Sequence, residues 1–319
     1  MGISTIIFSM NRVENVVKLA EKVRPYVDEI VIIDSSKKEN HQSLKKQLEY
    51  AKLYWFPPLG MPELYYKFGL DFCSHEWVIY FEDDEEPCEK LLVDLRSIIE
   101  NYGEKYKVFR ALKISNKQKD NVFRIFNKDY IIPIGLIHWL WGAKNGSDIF
   151  DLGDEYYVRH LELGVDDVDF GVLSQKLRRY SVIESYQYGF KILAICYKDY
   201  VRYQNPRLLR KIFKHLFEIF SMLNEKVALL ISATLYNLFF FVKGLTKRPL
   251  VALYYAYSVQ REILRDFGRK YKIWKDMWEI GDPIRYAGTD NLQNFSKIAE
   301  KLDPENGLKN FIALMEKRL

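Results

Sequence analysis

The sequence predicts an α/β protein, with a mostly parallel sheet flanked by helices and a helical C-terminal extension. Three observations predict it. Between Ile3 and Asn101, short apolar runs of strand length alternate with stretches of helical spacing, the pattern of a doubly wound sheet. Two of those runs close on carboxylates, one at Asp34 and one at Glu82-Asp83-Asp84-Glu85-Glu86. From residue 205 onward the strand-like runs stop and helical patterns continue to Leu319. A chain of 319 residues accommodates this as one unit over 1–204, with halves 1–105 and 106–204, and a helical region over 205–319.

The elements follow in order. Ile3 to Phe8 is β-branched and apolar, a buried strand. Asn11 to Val23 places Val13, Val16, Val17, Ala20 and Val23 at helical spacing. Glu29 to Asp34 is a second buried strand, and His41 to Tyr50 a helix. Lys52 to Phe56 is a third strand, closed by Pro57, Pro58 and Gly60. Glu63 to Cys73 is helical, Trp77 to Phe81 is a fourth strand, and Glu89 to Asn101 is a helix. Beyond Val108 the pattern becomes irregular, with strand-like pieces at Val108–Leu112 and Val122–Phe126 among aromatic loops.

Composition excludes several classes. Hydrophobic residues at 48% and charged residues at 29% make a folded chain able to bury a core without staples. A net charge of +5 is too mild to imply nucleic acid. Three cysteines, Cys73, Cys88 and Cys196, are an odd number without metal-type spacing and read as free thiols of a reducing compartment. Met1 to Thr5 has no basic n-region, so a cytoplasmic location is expected.

The carboxylates carry the functional expectation. Ligands of parallel α/β sheets bind beyond the carboxyl ends of the strands. Acids clustered there repel one another, and a divalent cation relieves the repulsion. Oxygen ligands suit Mg²⁺ or Mn²⁺, which in turn hold phosphate oxygens. A solvated turn that caps the next helix with negative charge would look similar in sequence.

Four blocks, in order, resemble glycosyltransferase family 2, above all its bacterial and archaeal members that act on lipid-linked or cell-surface sugars. The first is Ile6-Ile7-Phe8-Ser9-Met10-Asn11-Arg12-Val13-Glu14-Asn15, and the second Asp28-Glu29-Ile30-Val31-Ile32-Ile33-Asp34-Ser35-Ser36. The third is Trp77-Val78-Ile79-Tyr80-Phe81-Glu82-Asp83-Asp84-Glu85. The fourth is broken: Phe123-Arg124-Ile125-Phe126-Asn127, Ile137-His138 and Val158-Arg159-His160. The resemblance covers about Ile3 to Tyr180 and implies the GT-A fold. It also implies metal-assisted, inverting transfer of a sugar from a nucleotide-diphosphate sugar, UDP-sugars first and GDP-sugars second, to a hydroxyl of a glycan or lipid-linked acceptor.

The resemblance assigns roles residue by residue. Asp34 would contact ribose or base, and Ser9 and Asn11 would line the nucleoside pocket. Glu82-Asp83-Asp84 stands where the family has its D-x-D motif, with Glu first. Asp83 belongs to the donor site, and Glu82, Asp84 and Glu85, with His160, are the candidate metal ligands. Arg124 would hold a phosphate or orient the acceptor, or else form a structural salt bridge. Two departures matter: Arg12 stands where the family has Glu, and Trp139 follows His138 where that branch commonly has Glu. The base must then be another carboxylate, and Asp151, Asp154 and Glu155 are the best-placed acids after His138. Asp166, Asp167 and Asp169 read as a solvated helix start. Trp139 and Trp141 fit a sugar-stacking platform or core packing.

In the C-terminal region, Leu208, Leu209, Ile212, Phe213, Leu216, Phe217, Phe220 and Leu223 recur at helical spacing, with Arg207, Arg210, Lys211 and Lys214 on the other face. Such a basic amphipathic helix lies on anionic membrane surfaces. The uncharged stretch Val227 to Val242 is shorter than the ~20 residues a span needs. Residues 205–260 are therefore expected to contact the inner face of a membrane, or to pack on the catalytic domain or on a second copy of the chain. Two rivals remain. A sugar nucleotidyltransferase would carry a Gly-rich loop after the first strand, which Phe8 to Arg12 lacks. A catalytically degenerate scaffold would keep the fold without binding a donor.

Overall fold

The structure is a computed structural model, and it describes residues 1–115, 118–161, 170–203, 207–222, 224–245 and 249–319. The first half alternates as β1 (Ile3–Ser9), α1 (Val13–Val23), β2 (Glu29–Asp34), α2 (Lys38–Gln47), β3 (Lys52–Trp55), α3 (Tyr66–Phe72) and β4 (Trp77–Glu82). Then come β5 (Glu85–Pro87), α4 (Glu89–Val93), α5 (Leu95–Tyr102), β6 (Val108–Ser115) and β7 (Gln118–Asn127). A hairpin of β8 (Ile131–Leu136) and β9 (Trp139–Ala143) precedes β10 (Ile149–Asp151) and β11 (Tyr157–His160).

The main sheet has the order β3-β2-β1-β4-β7-β6-β11-β5, with β10 also on β6. The pairs β3-β2, β2-β1 and β1-β4 are parallel, as are β6-β11 and β6-β10. β7 runs antiparallel to both β4 and β6, and β5 antiparallel to β11. The expected α/β architecture, a mostly parallel sheet with helices and a helical C-terminal region, is what the structure has. Every residue of β1 is buried, because both faces of the sheet are covered. Ile3 and Ile7 face a core closed by α1, α4 and α5, with Val16, Leu95 and Ile98. Ile6 and Phe8 face a second core containing Phe68, Tyr80 and Trp141.

That second core continues into the helical layer. α6 (Phe170–Tyr197), α7 (Arg207–Ser221), α8 (Glu225–Leu245), α9 (Pro249–Leu264) and α10 (Phe267–Ile280) are followed by α11 (Pro283–Tyr286), α12 (Leu292–Ala299) and α13 (Gly307–Met315). α6 packs against α7, α8, α9, α10 and α13. At Gly189 of α6 the Trp274 ring of α10 comes so near that an added Cβ would lie 2.2 Å from it. The Trp274 Nε1 donates to the Ser185 carbonyl at 3.1 Å. α6 thus begins inside the residues assigned by sequence to the first unit, yet packs mainly with the second. Among the described residues, no helix is long and apolar enough to cross a membrane.

Three local expectations shift. The helix expected at His41–Tyr50 begins earlier and ends at Gln47. The one helix expected over 89–101 is broken at Asp94 into α4 and α5. The short strands β5 and β8 to β11 were not legible, because each is too short or too mixed to show a period.

Candidate active site

The parallel register sets the site. Ser9 pairs with Asp34 and Phe8 with Glu82, so the ends of β1, β2 and β4 open on one edge. There they form one side of a cleft of about 1020 Å³. Its near wall carries Ser9, Met10, Arg12, Ser35 and Glu82 to Asp84, and Pro58 to Glu63 line it as well. Its far wall carries Ile137, His138 and Leu140 with Gln175, Lys176, Arg179 and Tyr180 of α6.

After β4 the chain turns through Asp83 and Asp84 and returns as β5, which pairs with β11 so that His160 lies opposite Glu85. This pairing carries the His160 Nε2 to 3.4 Å from the Asp84 Oδ2. Ligand atoms of Glu82, Asp84 and His160 then lie within 4.8 Å of one another. The three fit a divalent cation on a further observation: the Asp84 Oδ1 is buried and, among the described residues, has no hydrogen-bond partner. Two carboxylates and an imidazole are ordinary donors for such an ion.

Basic groups balance this cluster. The Arg12 guanidinium lies 3.0 Å from Asp84 and 3.7 Å from Asp83. Lys113 of β6 bridges Glu82 at 2.9 Å and Glu85 at 2.8 Å. Burial alone would raise the pKa of Asp84, but the hydrogen bond and charge of His160, then Arg12 and Lys113, outweigh it and hold the carboxyl low. Burial dominates at Asp83, which is pushed up to about 7 although it accepts the Met10 N–H. Glu82 is likewise raised by burial.

The other residues expected at the site separate into groups. Ser9 lines the cleft, with its Oγ buried and without a hydrogen-bond partner. Asp34 is fully buried, and its oxygens are taken by Ser36 and by the His41 Nδ1 at 2.8 Å. Asn11, at a φ of 62°, accepts from the Lys37 N–H and from Asn40. Both are placed to shape the loop after β2, and neither lines the cleft.

Glu85 and Arg124 correct the sequence expectation more sharply. Neither side chain is exposed. Arg124 donates to both Glu85 oxygens, at 2.7 and 3.1 Å, and to the Tyr80 carbonyl. Glu85 also accepts from the Glu82 N–H. Burial would raise the Glu85 pKa, but Arg124 and Lys113 hold it well below the carboxylate range. The pair braces the strand end from inside the sheet, with no free face toward a ligand.

Asp151, Asp154 and Glu155 are exposed and do not line the cleft. β10 and β11 both run beside β6, and the turn between them faces α4 and α5, where Tyr156 bonds Asp94. Asp151 pairs with Arg110 at 2.5 Å. Trp139 and Trp141 are buried, and Trp141 stacks on Tyr66 at 4.6 Å, so they pack the core and offer no platform. Asp166, Asp167 and Asp169 lie outside the described residues, as do Leu223, Lys247 and Arg248.

Two features of the far wall had little sequence signal. The His138 N–H, at a φ of 65°, donates to the Glu63 Oε1 at 2.9 Å. Burial pushes Glu63 up to about 7, with the His138 N–H pulling the other way. α6 secures the same loop: Gln187 accepts from the Ile137 N–H and donates to the Gly135 carbonyl, and Lys191 donates to the Ile137 carbonyl at 2.7 Å.

Fold and site together define a class: an α/β protein with a carboxylate–histidine cluster at the carboxyl ends of its parallel strands. No family model matches the chain. Over 130 residues, 40% of the chain, it is 25% identical to an uncharacterized glycosyltransferase of Rickettsia felis. The match spans 45% of that protein, so the chain covers about half the length of its curated relative. Solved structures similar to it include S. aureus TarS, at 13% identity and a TM-score of 0.43 over 87% of this chain and 55% of that one. TarS 1–349 in complex with UDP matches at 14% identity and a TM-score of 0.42, over 88% and 92%. Glucosyl-3-phosphoglycerate synthase of Mycobacterium tuberculosis, with Mn²⁺, UDP and phosphoglyceric acid, matches at 16% identity and a TM-score of 0.29, over 36% and 44%.

Proposed function

We propose that the chain is a metal-assisted glycosyltransferase of the GT-A type, moving a sugar from a nucleotide-diphosphate sugar to an acceptor hydroxyl with inversion. The observation that carries this reading is the meeting of Glu82, Asp84 and His160 at the ends of parallel strands, beside an orphaned Asp84 oxygen. The glycosyltransferase name of the Rickettsia felis relative agrees with it. The family 2 resemblance puts UDP-sugars first among donors and GDP-sugars second.

In this reading Glu82, Asp84 and His160 hold Mn²⁺ or Mg²⁺. His160 favours Mn²⁺, since Mg²⁺ keeps to oxygen ligands. The bound ion would neutralise charge on the departing diphosphate. Ser9 and Ser35 line the nucleoside end of the cleft, and Arg12 and Lys113 add positive potential beside the phosphates. Asp120 of β7 is the proposed base. It is an exposed carboxylate lining the cleft, opposite Lys113 in the strand register. Glu63 is less suited, because its Oε2 is sealed from solvent.

The ion pair of Arg12 with Asp84 favours a second version, in which Arg12 and Lys113 supply the positive charge without any ion. One experiment addresses both: calorimetric titration of UDP, GDP and their sugar conjugates, with Mn²⁺ and with EDTA, on the natural protein and Asp84→Ala. Metal-dependent binding lost in the variant is expected and would name the nucleotide. Binding that survives EDTA would select the metal-free version. No binding to folded protein would leave the scaffold reading.

The helical region offers a contact surface. Leu208 and Ile212 of α7, Leu238 and Val242 of α8, and Leu250, Leu253 and Tyr257 of α9 are exposed apolar side chains. Lys211 and Lys214 of α7 are exposed too. We assign this surface to peripheral contact with an anionic membrane, which suits a lipid-linked acceptor.

A further inference from the structure

Cations line the cleft on both walls. Arg12 and Lys113 are held by carboxylates. On the far wall, Arg179 lines the cleft and, among the described residues, forms no ion pair, and its Nε is buried without a hydrogen-bond partner. Its guanidinium carbon lies 5.1 Å from the centroid of the Tyr180 ring. Lys176, one helical turn earlier, places its Nζ 5.9 Å from the same centroid. The His138 ring meets Tyr180 edge-on at 5.3 Å, on the loop that Glu63, Gln187 and Lys191 hold in place. Two cations and an imidazole therefore surround one aromatic plate, with Glu184 4.0 Å from the His138 Nε2.

A guanidinium with an unsatisfied N–H in a cleft is suited to a planar or tetrahedral oxyanion, which its fork grips through two parallel hydrogen bonds. The donor's diphosphate has its place at the other wall, by Glu82, Asp84 and Arg12. We propose that the acceptor itself is acidic, carrying a phosphate ester or a carboxylate that Arg179 and Lys176 bind against Tyr180. This rests on the transferase reading for the word acceptor, but the anion site stands on its own residues.

The test separates the two. Protein saturated with UDP and Mn²⁺ is titrated calorimetrically with glycerol 3-phosphate, with glycerate, and with glycerol as the neutral probe. At least one anion should bind and glycerol should not; which anion binds tells a phosphate ester from a carboxylate. Arg179→Gln should weaken anion binding about tenfold or more, with Lys176→Gln doing the same to a lesser degree. The affinity for UDP–Mn²⁺ and the melting temperature should stay unchanged in both. Anion binding as tight in Arg179→Gln as in the natural protein, or no anion binding at all, overturns the proposal. Should UDP–Mn²⁺ itself fail to bind, the transferase reading falls, and the same anion titration on the donor-free protein still decides the site.

Discussion

Asp84 lies where opposite demands meet. Its Oδ2 faces His160 and Arg12, while its Oδ1 is buried with no partner. The acids at the strand end were legible in the sequence as a run of carboxylates closing an apolar strand, although a solvated turn before the next helix would read the same way. His160 was legible through the resemblance alone, and its approach to Asp84 depends on the β5–β11 pairing that no sequence period announces. The pairing of Glu85 with Arg124 was not legible, for a plain reason. They are 39 residues apart, and a buried acid or base reads in sequence like an exposed one. The acids expected as the base, Asp151, Asp154 and Glu155, are exposed and lie away from the cleft, with Asp151 paired to Arg110. With Asp120 in that role, Asp120→Asn should lower turnover by about 10²–10⁴ and leave metal-dependent donor binding intact. Steady-state rates beside calorimetry check this, and unchanged turnover would remove Asp120 from the mechanism.

Among the elements, the β8–β9 hairpin shows how the far wall is made. Its tip, from Gly135 to His138, has its polar backbone claimed by Glu63, Gln187 and Lys191, so a loop in a left-handed turn at His138 is held without regular structure. Glu63 makes this hold depend on pH. Its folded pKa of about 7 lies above the 4.5 of an ordinary glutamate, so between those limits the native state keeps a proton that the unfolded chain releases. Stability should therefore fall as pH rises from about 4.5 to about 7. Glu63→Gln keeps an acceptor for the His138 N–H and carries no titrating group, so it should flatten that decline. Thermal melting across the range checks this, and parallel curves for the two proteins would contradict it. The alternation of β1 to α5 was legible because each period is long and each strand is buried on both faces. The hairpin was not, because its order comes from partners about 50 to 75 residues away.

Over the whole molecule, one apolar core runs from the sheet through α6 into the last helix. The helical region is therefore part of the cleft's foundation, packed on the sheet-bearing half across the boundary expected near residue 204. On its outer side, Leu250, Leu253 and Tyr257 leave more than half of their surface exposed. Contact with anionic lipid gains roughly 1 kcal/mol for each basic residue near the surface, in addition to apolar burial. The protein should sediment with phosphatidylglycerol vesicles more than with phosphatidylcholine vesicles, and Leu250→Ser with Leu253→Ser should release it. Equal partition of both proteins would instead point to a second copy of the chain, which analytical sedimentation would show as a dimer split by the same substitutions.

The crossing of α6 and α10 carries a consequence for inheritance. With the Trp274 ring seated over Gly189, no side chain can be gained at 189 while the indole remains. Drift at these two positions is tied together across the lineage. A descendant that acquires alanine at 189 must first, or at once, shrink the ring at 274, and in doing so it gives up the hydrogen bond to Ser185. The helix that grips the Gly135–His138 loop thus evolves under a constraint set on its opposite face.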